Sequence, residues 1–158
     1  KIKKLNKKEC NKIMSDTFFK IASKIEYLGV SLLIEPLSKK YTDLITNSVE
    51  GAKLVETVNH PNFSLHIDLK SSFDEKENYG EIWKNYGHII KHCHVANPDL
   101  APPSEDCLEH IKVAKSIRKS SYDKYISIEM SRNNYDTLST VKKAITFVKK
   151  VYIDHLYN

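Results

Sequence analysis

The stretch "IKHCHVANPDLAPPSED", residues 90–106, sets two histidines either side of one cysteine and then enters a loop holding Pro98, Pro102 and Pro103. An apolar start closed by prolines reads as a buried strand that ends in the His92-Cys93-His94 cluster. Side chains alternate along a strand, so His92 and His94 share one face and Cys93 takes the other. Ile89, Ile90 and Val95 suit Cys93 to a small buried thiol beneath a helix. Whether the histidines bind a metal or only fill a core depends on where the other strands end.

Working outward in both directions, the same kind of run recurs. "VSLLIEPL" (30–37), "FSLHIDLKS" (63–71) and "YISIEM" (125–130) read as further short strands. Between them the apolar spacing turns helical. This holds in "IMSDTFFKIASKIEYLG" (13–29), "TDLITNSVEGAKLVETV" (42–58), "YGEIWKNYG" (79–87), "SEDCLEHIKVAKSIRKS" (104–120, with Ser104 as N-cap) and a last helix near 134–152. One helix over 10–28 followed by four strand–helix units over 30–153 predicts an α/β protein with a parallel sheet. Four units match the last half of an eight-stranded (β/α) TIM-type barrel or a small doubly wound sheet. A complete barrel needs about 250 residues, more than this chain's 158. No glycine-rich phosphate loop occurs, which removes the nucleotide-binding versions of the doubly wound fold.

Composition narrows the class. The chain is 41% hydrophobic and 28% charged, with no apolar run long enough for a bilayer, so a soluble protein of one domain over 1–158 is expected. Its net charge of +5 comes largely from lysines at the N-terminus and on helical faces, so nucleic acid is not the expected partner. Three cysteines, Cys10, Cys93 and Cys107, without a secretory pattern predict reduced thiols and a cytoplasmic location. The absence of an initiator Met leaves open that the sequence is a piece of something longer.

In parallel α/β folds the site lies at the carboxyl ends of the strands. Here those ends are Ile34-Glu35-Pro36, His66-Ile67-Asp68, His92-Cys93-His94 and Ser127-Ile128-Glu129. Taken singly, an acidic strand end is commonly a helix N-cap, and a strand histidine is commonly a satisfied core group. Taken together, four successive strands each bring a metal-capable side chain to one end. Two Glu, one Asp and one His make an oxygen-rich site suited to Mn²⁺, Mg²⁺ or Co²⁺ rather than to structural thiolate zinc. Three carboxylates packed without a cation would repel one another and push their pKa values up.

The segments "LLIEPLSKKYTDLI", "LHIDLKSS", "HCHVANPDLAPP" and "YISIEM" resemble the second half of the sugar phosphate isomerase/epimerase superfamily, the xylose isomerase-like barrels. The resemblance covers about residues 25–135. It implies a single divalent ion held by Glu35, Asp68, His94 and Glu129, the histidine being the second of H-x-H. It also implies proton transfer next to a carbonyl through an enediolate, with Glu35 and Glu129 as the groups that remove and return the proton. The implied substrate is a small sugar or hydroxy-ketone.

Three positions depart from the ketose epimerases of that superfamily. Where these usually carry a histidine, a glutamate and an arginine around the substrate, this chain has Ser71, Tyr41 and Leu100. His66, Lys70, His92 and Asn97 are the candidate substrate-binding replacements, and Lys70 would suit an acidic substrate. Two other readings stand beside this one. The first is an apurinic-site endonuclease-like metal hydrolase. The second is a non-catalytic partial barrel that binds a metabolite or partner. If four units are all there is, another copy or another chain is expected to cover the open sheet edges.

Overall fold

The computed structural model describes residues 5–134 and 137–154. The ends of the expected 1–158 domain, and residues 135 and 136 at the start of the expected last helix, lie outside the described residues. Four strands, β1 (Leu32–Ile34), β2 (Phe63–Asp68), β3 (Ile90–Val95) and β4 (Tyr125–Ile128), pair in parallel in chain order. Helix α1 (Lys7–Lys24) precedes them, opened by an Asn6–Glu9 capping box. Helices α2 (Ser48–Val58), α3 (Leu69–Asp74), α4 (Tyr79–Tyr86), α5 (Glu109–Lys119) and α6 (Leu138–Val148) follow the strands. A π-helical turn over Lys149–Ile153 extends α6.

The alternation of each strand sorts the sheet into two faces. Phe63, Leu65, Ile67, Ile90, Cys93 and Val95 join Ala52, Val55, Trp83, Val113 and Val151 in the hydrophobic core under the helices. The other face carries Ser64, His66, Asp68, His92 and His94. Strand β2 is buried throughout, whereas β1 is half-buried and β4 begins at the exposed Tyr125, since each of these outer strands has a neighbour on one side only.

Several boundaries differ from the sequence reading, each for a local reason. Ser104 does not cap α5, which begins at Glu109 after Leu108; its hydroxyl instead bonds Asp106 within a turn closed by Cys107 N–H on the Ser104 carbonyl. Residues 42–47 are loop, because Ile45 sits at φ 51° and Asn47 caps α2 through the Glu50 amide. Residues 69–71 are the first turn of α3 rather than strand, because the Asp68 carboxylate accepts from the Lys70 and Ser71 amides.

Gly51 lets α2 lie close against the end of β1. A Cβ there would meet Pro36 Cγ at 2.7 Å and Leu65 Cδ1 at 2.8 Å. Gly51→Val is therefore expected to cost roughly 1–3 kcal/mol through overpacking, read as a lowered urea midpoint. An unchanged midpoint would mean that α2 has room to retreat.

Candidate functional site

Each strand ends at the same edge of the sheet. Glu35 follows β1, Asp68 closes β2, His94 lies one residue before the end of β3, and Glu129 follows β4, its amide bonded to the Val95 carbonyl at 3.1 Å. Carboxylate oxygens of Glu35, Asp68 and Glu129 lie within 4.8 Å of one another, and so do ligand atoms of Glu35, His66 and His94. His94 Nδ1 is 3.2 Å from Glu129 Oε2 yet is buried and outside hydrogen-bonding geometry.

Alternation within strands does not by itself bring these groups together. Pairing runs Leu65 to Ile90 and then His66 to His92, so β3 spends one extra residue, Lys91. This bulge sets His66 beside His92 and Asp68 beside His94 on one face. Cys93 accordingly falls on the core side, fully buried, and burial pushes its thiol up.

Electrostatics follow from the crowding. The half-buried Glu35 carboxyl is raised by desolvation first and by Asp68 next, with His94 lowering it and Glu129 raising it. His66 is lowered to about 3 by burial and by the neighbouring His94 and His92, so its imidazole is neutral. The His66 ring stacks on His92 at 5.1 Å and meets His94 edge-on at 4.2 Å. His92 Nε2 bonds the Ser127 hydroxyl at 2.8 Å. The residues present fit a divalent cation, because three converging carboxylates and a buried unbonded imidazole nitrogen all gain a partner from one.

The model of the family described as "Xylose isomerase-like TIM barrel" matches residues 2–151. The chain belongs to this xylose isomerase-like barrel family. No curated protein sequence matches it significantly. Among solved structures it is similar to D-psicose 3-epimerase from Clostridium cellulolyticum H10 (TM-score 0.85, 18% identity), covering 95% of this chain and 59% of that one. It is similar to 3-keto-D-glucoside 4-epimerase from E. coli (TM-score 0.85, 14% identity), covering 94% and 57%. It is also similar to an AP endonuclease, family 2, from Brucella melitensis (TM-score 0.78, 22% identity), covering 92% and 56%. The chain thus spans a little under three fifths of these structures, and its four parallel strands form a partial barrel.

In this xylose isomerase-like barrel the cluster opens into a cavity of about 400 Å³ lined by Glu35, Tyr41, Asp68, Lys70, Leu100 and Glu129, among others. Lys70 is buried, with Nζ 2.8 Å from the Tyr41 hydroxyl and 3.0 Å from Asp74 Oδ2. Its positive charge therefore stands in the wall, already partly neutralised. Asn97 is committed elsewhere: Oδ1 accepts from His110 Nε2 at 2.8 Å and Nδ2 donates to Ser104 at 3.1 Å. Sequence reasoning missed Asp99 and Ser131, which also line the cavity. Asp99 sits at φ 58° in the Pro98–Leu100 turn, and Ser131 N–H bonds the Leu100 carbonyl, so the loops after β3 and β4 are tied together. The Asn-Pro-Asp run was the available signal for that turn.

Proposed function

We propose that the protein carries out divalent-metal-dependent proton transfer next to a carbonyl of a small hydroxylated substrate, interconverting isomers or epimers. The four units act as the C-terminal half of the barrel that encloses the substrate. The observation that carries this reading is the convergence of Glu35, Asp68 and Glu129 within 4.8 Å at the carboxyl ends of parallel strands.

Glu35, Asp68, His94 and Glu129 would hold Mn²⁺, Mg²⁺ or Co²⁺. Bound there, the ion would polarise the carbonyl and stabilise the charge that develops when the neighbouring C–H loses its proton. Glu35 comes from the end of β1 and Glu129 from the end of β4, the two outer strands of the sheet. One takes the proton and the other returns it, the two faces allowing epimerisation. The Asp68 carboxylate is held in a fixed pose by the Lys70 and Ser71 amides and the Ser71 hydroxyl, as a ligand requires. Lys70, with Tyr41, faces the substrate from the cavity wall, and His92 orients the imidazole layer. Free cysteines at 10, 93 and 107 accord with a reducing cytoplasm.

The test is solvent exchange. The protein with Mn²⁺ is incubated in D₂O with ketoses, hydroxypyruvate and inosose-type cyclic ketones, and carbon-bound deuterium is followed by NMR. Label in substrate or product is the expected result, abolished by chelation and restored by Mn²⁺. No label with any candidate, from folded protein that also binds no metal, would favour the non-catalytic reading.

A further inference from the structure

We propose that His66 is itself a metal ligand, forming with Glu35 and His94 a second, imidazole-rich coordination position that shares Glu35 and His94 with the ligand set proposed above. The inference rests on the metal reading above but assigns it a residue and a selectivity of this chain's own.

His66 lies in the fully buried β2, two residues before Asp68 on the same face, and is 7% exposed. Its Nε2 has no hydrogen-bond partner among the described residues. Leaving a buried imidazole nitrogen unpaired carries the full desolvation penalty of that group. The same chain contains the alternative. His110 is fully buried too, yet both its nitrogens are paired, with Asn97 at 2.8 Å and Tyr152 at 2.6 Å. A histidine kept only for structure is satisfied by the protein; His66 is not, and the site it adjoins supplies what it lacks.

Geometry allows the bond. The ligand atoms of Glu35, His66 and His94 lie within 4.8 Å of one another, a span that small side-chain rotations close onto an ion with metal–nitrogen bonds of about 2.0–2.1 Å. The His66 and His94 rings meet edge-on, at 83° with centroids 4.2 Å apart. The stacked His92, held by Ser127, fixes the His66 ring plane. Two imidazoles and one carboxylate suit the borderline ions Zn²⁺, Co²⁺ and Ni²⁺ better than Mn²⁺ and Mg²⁺, which the carboxylate-rich set of Glu35, Asp68, His94 and Glu129 would hold without His66. Glu35 and His94 thus serve two positions of different chemical taste, and His66 decides how strongly the softer ions are held.

The experiment measures Zn²⁺, Co²⁺ and Mn²⁺ affinities of the purified protein and of His66→Phe and His66→Asn, with Co²⁺ absorption as the spectroscopic readout. Both variants are expected to lose at least about tenfold in Zn²⁺ and Co²⁺ affinity and to shift the Co²⁺ bands, while Mn²⁺ affinity moves less than about threefold. Far-UV circular dichroism of the metal-free proteins reports folding, and the Asn variant serves if the Phe variant unfolds. Unchanged Zn²⁺ affinity, or equal losses for all three ions, would overturn the inference. Wild-type protein that binds none of the ions would instead remove the metal reading on which it rests, so the two failures are distinct.

Discussion

Glu129→Gln is expected to slow solvent-deuterium incorporation by about 10²–10⁴-fold, the range over which a positioned acid or base acts. The amide keeps the length of the side chain and a carbonyl oxygen, so the change removes the proton acceptor with little change of shape. The fold should tolerate it, because the side chain is 40% exposed and the backbone at 129 is held independently by the Val95 carbonyl. The urea midpoint should therefore match the wild type while exchange is lost. Glu35→Gln should lose exchange as well, but with a larger fall in metal affinity, since Glu35 belongs to both ligand sets and Glu129 to one. A Glu129→Gln variant that exchanges at the wild-type rate would take Glu129 out of the proton path.

Acid is expected to destabilise the metal-free protein through His110. Its ring is packed among Phe73, Phe147 and Tyr152, with Nε2–H donating to Asn97 and Nδ1 accepting from the Tyr152 hydroxyl. Burial lowers its pKa from 6.5 to about 4. In the unfolded chain it takes up a proton near 6.5, so protonation favours unfolding between those values. The stability present at pH 7 is lost as pH falls through that window, by roughly 2 kcal/mol at pH 5. His66, lowered to about 3, adds to the slope with the same sign. Urea midpoints at pH 7 and pH 5 measure the effect. His110→Gln should flatten the difference while lowering stability at pH 7 by about 1–3 kcal/mol, through the lost hydrogen bonds. Equal wild-type midpoints at the two pH values would contradict this account. The loop carrying Asp99 and Leu100 hangs on the Asn97–His110 bond, so the cavity wall should loosen with it.

How far the sequence could be read depended on the range of the interactions involved. Alternating and helical apolar spacing is local, and the four strands and their parallel order follow it. Asp68 is also locally legible as an N-cap, and the fold makes it one while keeping it in the cluster, so the plain reading and the functional one coexist. The hydrogen bonds of Asn97 were not legible because its partner His110 stands 13 residues on, and the Tyr152 that orients His110 a further 42. Ser104 failed as a cap because a turn claimed its side chain and carbonyl first.

By itself the sequence determined which residue types end each strand and which of them share a strand face, since a period of two is a property of one extended segment. It could not determine which face of one strand meets which face of the next. Without the extra residue at Lys91, Asp68 would stand beside Cys93 and the two histidines of β3 would turn toward the core. The bulge between Leu65 and His66 reverses that parity. Register belongs to a pair of strands, fixed when Ile90, Cys93 and Val95 are buried under the helices and His92 and His94 are left to the open face. Only the tertiary structure therefore decided that the ligand-type side chains form one site, and that His66 stands within it unpaired.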